Sequence, residues 1–220
     1  MRVGYFAMPL HPPGSDPAKT MDDDLLQLAT LDRLGYEEAW IGEHFTAQWE
    51  NIPCPDLFIA RALERTKTMK LATGVSCLPN HDPLMLAQRI AQLDQMARGR
   101  FYWGVGAGGF PGDFELFGVD PKSGEHRVIT REILDTVLSL WQDAKPGGYD
   151  GRRFRFTVPH RSPTSACACT CSRSRSRIRR SASPACRRTR RRSCSPASAA
   201  TSRCRSTSCP RAFSPRTGRA

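Results

Sequence analysis

Acidic residues and most large apolar residues are missing from the last part of this 220-residue chain. Residues 161–220 contain no Asp or Glu and no Leu, Val, Met, Tyr or Trp, and their only large apolar side chains are Ile178 and Phe213. Such a segment cannot bury enough surface to offset the entropy that the chain loses on ordering. We therefore expect a disordered Arg/Ser/Cys-rich tail over residues 161–220 and a folded domain over residues 1–160.

Charge divides at the same point. Residues 1–160 carry 17 basic and 21 acidic side chains, a net charge of −4, whereas residues 161–220 carry 16 arginines and a net charge of +16. The overall charge of +12 therefore does not describe the folded part. Basic segments bind phosphate backbones electrostatically, so nucleic-acid binding by the tail, genuine or adventitious, stays open as an alternative. Against a genuine RNA-binding arm, the tail has seven cysteines and no aromatic side chain except Phe213.

The sequence has no apolar run long enough to cross a membrane. The N-terminal stretch "MRVGYFAMPLHPPGS" has one short apolar run broken by proline and no small-residue cleavage site, which is typical of a first strand rather than a signal peptide. We expect a reducing, cytoplasmic location, since only Cys54 and Cys77 lie in residues 1–160. His81 and His126 have no partner at metal-ligand spacing, so we expect no metal site.

Short apolar runs alternate with segments of helical period in residues 1–160. The runs predict strands over residues 2–8, 37–44, 70–79 and 101–108. The periodic segments predict helices over residues 22–35, 55–67, 82–100 and 128–142. Four strand–helix units indicate an α/β domain with a parallel sheet, belonging to an eight-stranded βα barrel or a doubly wound sheet. A complete barrel needs about 250 residues, so residues 1–160 would hold about half of one.

The pair Glu43–His44 lies at the predicted carboxyl end of the second strand, where both architectures place their chemistry. A histidine there can donate a hydrogen bond or a proton near neutral pH, and the adjacent carboxylate can tune it. A histidine that only satisfies backbone groups of a loop is the alternative. The sequence therefore makes His44 a candidate catalytic residue.

A glycine-rich stretch, "GVGAGG", follows the fourth predicted strand and matches G-x-G-x-x-G at Gly104, Gly106 and Gly109. A dinucleotide site needs a helix to begin there, and we expect Pro111 and Gly112 to break the chain instead. The glycines then indicate a loop that lets a flat ligand approach the backbone.

The stretches "AWIGEHF", "TGVSCLPNHDPLMLAQRIAQLDQMARGRFYWGVGAG" and "GDFELFGVDP" closely resemble the bacterial luciferase-like family of flavin-dependent monooxygenases, in particular its limonene monooxygenase-like branch. The resemblance covers residues 1–158. It implies the N-terminal half of a TIM (β/α)8 barrel, with strands 1–4 and their helices in residues 1–160. It also implies reduced FMN supplied by a separate flavin reductase, and insertion of one oxygen atom from O2 into a small organic substrate.

The same resemblance assigns roles to four residues. His44 matches the family's active-site histidine beside the flavin ring. Gly74 and Val75 match the end of the third strand, where the family often has a non-prolyl cis peptide under the flavin. Gly106 matches the position of the fourth strand that faces the ring.

The resemblance stops where the family binds the flavin phosphate, because those contacts come largely from the second half of the barrel and no residue of this chain matches them. Relatives that use a deazaflavin cofactor for hydride transfer share the first half, so a deazaflavin-dependent oxidoreductase stays an alternative. Half a barrel leaves open strand edges and apolar faces, from which we expect impaired activity and homo-oligomers or aggregation.

The composition of residues 161–220 also suggests a slip of reading frame near residues 159–164. The codons for residues 164–170, regrouped from the third base with C in the wobble positions, read as an apolar residue, a small or polar one, an apolar one, Arg, an apolar one and His. An alternating strand pattern thus reappears in another frame. We therefore interpret the tail as out-of-frame translation of a truncated enzyme.

Overall fold

The computed structural model describes residues 3–160 and the short strand Ser181–Ala182, all within one compact unit, Met1–Arg188. The strands are β1 (Gly4–Ala7), β2 (Glu38–Ile41), β3 (Lys70–Thr73), β4 (Ser76–Cys77), β5 (Phe101–Tyr102), β6 (Gly104–Gly106), β7 (Gly147–Asp150), β8 (Arg155–Val158) and β9 (Ser181–Ala182). The helices are α1 (Pro17–Arg33), α2 (Pro55–Arg65), α3 (Pro83–Ala97), α4 (Pro111–Leu116) and α5 (Glu125–Asp143), with a 3-10 turn at Leu78–Asn80. Apart from β9, the expectations for residues 161–220 lie outside the described residues.

The parallel sheet expected from the alternation is present. Strands β1, β2, β3 and β5 pair in that order, all parallel. The third predicted strand occurs as β3 and β4, and the fourth occurs as β5 and β6. Beyond the carboxyl ends of β3 and β5, strands β4, β6 and β9 form a second parallel sheet. The two breaks in the ladder fall at Gly74–Val75 and at Trp103. The candidate site lies beyond these breaks, at the carboxyl end of the four-stranded sheet.

The two faces of the four-stranded sheet differ in burial, as the two-residue period of a strand requires. Ala39, Ile41 and Leu71 point to the face covered by helices and are almost completely buried. On the opposite face, Phe6 pairs in register with Trp40 and is 63% exposed. This second face corresponds to the inside of the barrel that the family resemblance implies.

The starts of two helices, α1 and α4, differ from the prediction at a proline. Helix α1 begins at Pro17, five residues before the predicted start, because Asp16 caps it by accepting a hydrogen bond from the Ala18 amide at 2.9 Å. The expected break at Pro111 and Gly112 is wrong, since Pro111 is the first residue of α4. Proline suits a first helical turn, where its missing N–H has no partner to lose.

A hairpin that the sequence pattern did not reveal follows α5. Strands β7 and β8 pair antiparallel, and the rings of Tyr149 and Phe156 stack with centroids 4.7 Å apart. The hydroxyl of Tyr149 donates to Glu132 of α5 at 3.1 Å, so the hairpin is fixed to that helix. Among the described residues, no helix is long and apolar enough to cross a membrane.

Candidate active site

His44 lies just beyond the carboxyl end of β2 and is mostly buried, with 14% of its side chain exposed. Both of its ring nitrogens face carboxylates. Nδ1 lies 3.2 Å from Oδ2 of Asp113, and Nε2 lies 3.2 Å from Oε2 of Glu50. The ring of Phe110 packs edge-on with its centroid 5.1 Å away. The imidazole is thus held on both sides by groups that accept protons.

Asp113, in the first turn of α4, is the centre of a dense hydrogen-bond network. Its Oδ1 accepts from the backbone amides of Phe45 and Thr46, at 3.1 and 2.9 Å, and from the Thr46 hydroxyl at 2.7 Å. Burial alone would raise the pKa of Asp113, but the hydrogen bonds from Thr46, His44 and Phe45 outweigh it and lower the pKa. Asp113 is therefore ionised at neutral pH and holds a proton on Nδ1 of His44.

The expectation that Glu43 tunes His44 is wrong. Neighbouring residues of an extended chain point in opposite directions, and the Glu43 carboxylate faces His81 instead. Nε2 of His81 lies 3.0 and 2.9 Å from the two Glu43 oxygens, and the Cys77 amide donates to the same carboxylate at 3.0 Å. Only 1% of the Glu43 side chain is exposed. His81 lies in the segment between the 3-10 turn and α3, and its buried pair with Glu43 links that segment to the end of β2.

The peptide bond between Gly74 and Val75 is cis, as the family resemblance implies. Gly106 lies against this bond: a Cβ built on it would be 2.5 Å from Cγ2 of Val75. A Cβ on Gly74 would be 3.0 Å from the Trp40 Cβ and 3.2 Å from Cε2 of Phe6. A side chain at either position would collide with these neighbours, so the two glycines allow the close packing around the cis peptide bond.

The structure brings the four predicted residues to one end of the sheet. Gly106 contacts Val75 and pairs in register with Cys77, whose amide donates to Glu43, the neighbour of His44. Sequence reasoning missed Asp113, Thr46 and Glu50. Asp113 was part of the "GDFELFG" motif that supported the resemblance, but no local pattern connects it to a histidine 69 residues away.

Two cavities lie away from His44. A cavity of about 320 Å³ lies at the other end, beside Glu38, Lys70 and Tyr102, and one of about 550 Å³ lies between α5 and the β7–β8 hairpin. Neither is lined by His44. Within the described part of the chain, no group of three or more His, Cys, Asp or Glu side chains is placed to hold a metal ion.

Comparison with known proteins identifies the family to which this chain belongs. The family model for luciferase-like monooxygenase matches residues 1–168. The chain is 47% identical to 4-hydroxyprotoasukamycin monooxygenase of Streptomyces nodosus subsp. asukaensis over 143 residues, covering 65% of this chain and 38% of that protein. It is 40% identical to limonene 1,2-monooxygenase of Rhodococcus erythropolis over 137 residues, covering 62% of this chain and 35% of that protein. The chain therefore spans less than half the length of these relatives.

Solved structures agree. The oxygenating constituent of 3,6-diketocamphane monooxygenase from the CAM plasmid of Pseudomonas putida, a type II Baeyer–Villiger monooxygenase in complex with FMN, is similar with a TM-score of 0.68 and 30% identity, covering 73% of this chain and 44% of that one. An F420-dependent secondary alcohol dehydrogenase in complex with an F420–acetone adduct has a TM-score of 0.59 and 25% identity, covering 72% and 46%. The resemblance to luciferase-like TIM barrels is thereby confirmed.

Proposed function

We propose that this chain, which belongs to the luciferase-like monooxygenase family, carries the flavin-ring side of an oxygenase site that uses reduced FMN and O2 to insert one oxygen atom into a small organic substrate. The observation that carries the proposal is the placement of His44, fixed by Asp113, at the same end of the sheet as Gly74, Val75 and Gly106. That end is where βα barrels build their active sites.

The residues present suit the ring of a flavin. Where a Cβ would stand on Gly74 or Gly106, the space is taken by Trp40, Phe6 and Val75, whereas at Gly109 of the same glycine-rich stretch nothing lies within 4 Å. Gly109 is therefore where a flat ring can approach the backbone closely. Bound reduced flavin would supply the two electrons and the reaction with oxygen. The charged groups in contact with His44 are carboxylates. A phosphate would therefore have to be bound by residues other than these.

His44 has a proton-handling role in this proposal. Asp113 accepts from Nδ1 and so fixes the ring orientation, which leaves Nε2 as the atom that can donate to a bound ligand. The ring of Phe110 packs edge-on against the imidazole. His44 is therefore the residue that we expect to hold and donate a proton beside the ligand.

Flavin binding to the full chain tests the proposal. Reduced FMN should quench the protein's tryptophan fluorescence under anaerobic conditions, and His44→Gln should weaken binding about tenfold, since one hydrogen bond to a charged group is lost. His160→Gln is the matched control, because His160 is an exposed histidine. Equal affinities for wild type and His44→Gln would contradict the role of His44.

A deazaflavin is the second candidate cofactor, because an F420-dependent dehydrogenase, whose cofactor is a deazaflavin, shares the fold. Titration of reduced FMN and of reduced F420 in parallel separates the two, and we expect the tighter binding for FMN. A flavin reductase partner is part of the proposal, in line with the oxygenase being one constituent of the diketocamphane enzyme. Self-association is also proposed, and analytical ultracentrifugation of the full chain checks it.

A further inference from the structure

The inner face of the four-stranded sheet carries a row of side chains that ends in an exposed phenylalanine. Strand register places Phe6, Trp40, Ala72 and Tyr102 side by side in this row, which we call the inner row. The rings of Trp40 and Tyr102, on either side of Ala72, have centroids 6.4 Å apart, and Phe6 is 63% exposed. Parallel sheets are normally covered on both faces. The inner row is therefore the part of this fold that needs a second layer.

A balanced pair of charges lies on the same face, two residues nearer the amino ends of the strands. Glu38 and Lys70 pair in register on β2 and β3. Oε2 of Glu38 accepts from the indole N–H of Trp40 at 3.1 Å, and Nζ of Lys70 donates to the Tyr102 hydroxyl at 2.7 Å. The cavity of about 320 Å³ lies beside these two charges. A layer that covers the inner row must also cover one acidic and one basic group, so a layer with balanced charge fits it.

A second copy of the chain fits this face better than residues 161–220 do. That segment has only Ile178 and Phe213 as large apolar side chains and a net charge of +16, whereas a second copy brings another inner row and another balanced pair of charges. The strands lie in the sheet in their order along the chain, so β1 and β5 are its two edges. Rotation by 180° about the barrel axis therefore places β1 of each copy beside β5 of the other, with all strands parallel. Eight strands result, which is the number whose inward side chains just fill a barrel.

The two edges that would meet carry backbone groups that point away from the sheet. The carbonyls of Val3 and Ala7 accept hydrogen bonds from the β2 side. Backbone groups of successive residues in a strand point to opposite sides, so the amides of Gly4 and Phe6 point to the open edge of β1. At the other edge, β5 pairs only with β3 among the described strands, and beyond it β6 pairs with the two-residue strand β9. Four-residue β1 of a second copy offers a longer ladder there than β9 does.

We propose that two copies of this chain close one eight-stranded barrel about a twofold axis, with the inner row of each copy covered by that of the other. Strand β1 of the second copy takes the place of β9 beside β6. The carboxyl ends of all eight strands then meet at one rim, so each copy brings its His44 to a shared mouth. This inference gives a surface to the self-association named in the proposed function, and it needs no flavin. Flavin binding by a chain that stays monomeric would support the proposed function and overturn this inference.

Sedimentation velocity of the full chain without cofactor tests whether the inner row is the interface. We expect a dimer, and Phe6→Asp should raise its dissociation constant at least about a hundredfold, since each copy loses an apolar side chain from the shared interior and gains a charge there. The matched control is Leu26→Asp on α1, because Leu26 is also 63% exposed. Its dissociation constant should stay within about threefold of wild type. A monomeric wild type, or a dimer that Leu26→Asp weakens as much as Phe6→Asp does, would overturn the proposal.

Hydrogen exchange of the wild-type chain locates the interface without a variant, so it decides the question even if Phe6→Asp does not fold. Peptides that contain β1 and β5 should exchange about tenfold more slowly above the dissociation constant than below it, because pairing of the edges gives the Phe6 amide an acceptor. Peptides from α1 should exchange equally at both concentrations. Two sheets packed face to face would leave the edges open. Unchanged exchange of β1 and β5 in a dimer would therefore overturn the closed barrel.

Discussion

Asp113 and His44, 69 residues apart in sequence, meet at 3.2 Å across the mouth of the sheet. The carboxylate oxygen that does not face the histidine accepts from Phe45 and Thr46, the two residues that follow His44. Asp113 therefore fixes both the histidine ring and the backbone that carries it. A single side chain from α4 thus couples the end of β2 to the glycine-rich loop after β6.

Replacement of Asp113 by Asn should destabilise the protein by about 1–3 kcal/mol, because donors on Phe45, Thr46 and His44 lose a charged acceptor. The pKa of Asp113 is lowered in the folded protein, so its ionised form stabilises the fold above the unfolded value of 3.8. That contribution is lost as the pH falls below this value. Urea unfolding at pH 7 and at pH 3 checks both points, and an Asp113→Asn variant that loses as much stability on acidification as wild type would contradict them.

The buried pair Glu43–His81 should show a strong coupling energy. Glu43→Gln should lower the free energy of unfolding by about 2 kcal/mol or more, since it replaces a fully buried carboxylate that accepts hydrogen bonds from His81 and from the Cys77 amide. His81→Gln should add little once Glu43 has been replaced. A double-mutant cycle by urea unfolding measures the coupling. Additive effects of the two changes would argue against the pair, and exposed Glu64→Gln should change stability by less than about 0.5 kcal/mol.

The close approach of Gly106 to Val75 predicts that stability lost by a substitution at Gly106 is partly restored by a smaller side chain at Val75. Gly106→Ala places a Cβ 2.5 Å from Cγ2 of Val75 and should cost about 1–3 kcal/mol. Val75→Ala in the same chain removes that methyl group and should restore part of the loss. Gly109→Ala is the control, because a Cβ there meets nothing within 4 Å. Thermal unfolding gives the comparison, and equal effects at positions 106 and 109 would refute the close approach.

The two cysteines of the described domain should differ in reactivity. Burial first, and then the charge of Glu43, raises the pKa of the Cys77 thiol far above its ordinary value, so this sulfur stays protonated and covered. Burial also raises the pKa of Cys54, but that side chain is only half-buried. Iodoacetamide should label Cys54 in the native protein and Cys77 only after denaturation, as peptide mapping would show. Rapid native labelling of Cys77 would mean that β4 opens.

The frame-slip interpretation of residues 161–220 makes a prediction about the coding DNA. Sequencing of codons 155–175 and translation in all frames should show a frame that continues into alternating apolar strands. If no frame does so, the arginine-rich segment is genuine. Salt-dependent RNA binding that disappears on deletion of residues 161–220 would then support the nucleic-acid alternative.

Much of the secondary structure was readable from local patterns, because burial against one face imposes a period on the sequence. The helix predicted over residues 128–142 is present as α5, and its apolar residues at helical spacing form its buried face: Ile129, Ile133, Val137, Leu140 and Trp141. The parallel order of the strands also followed from their alternation with helices. The motifs at the strand ends pointed to His44 and to the Gly74–Val75 bond.

Tertiary structure alone decided which groups surround His44. Its neighbour Glu43 was the obvious partner in the sequence, yet extended backbone turns the two side chains apart and gives Glu43 to His81. Asp113 and Glu50 come from a helix and a loop whose positions depend on contacts distant in the chain. Composition and period determined that this is a parallel α/β domain with a histidine at its mouth. Only folding determined the charge around that histidine, because no local pattern records which distant carboxylates meet it.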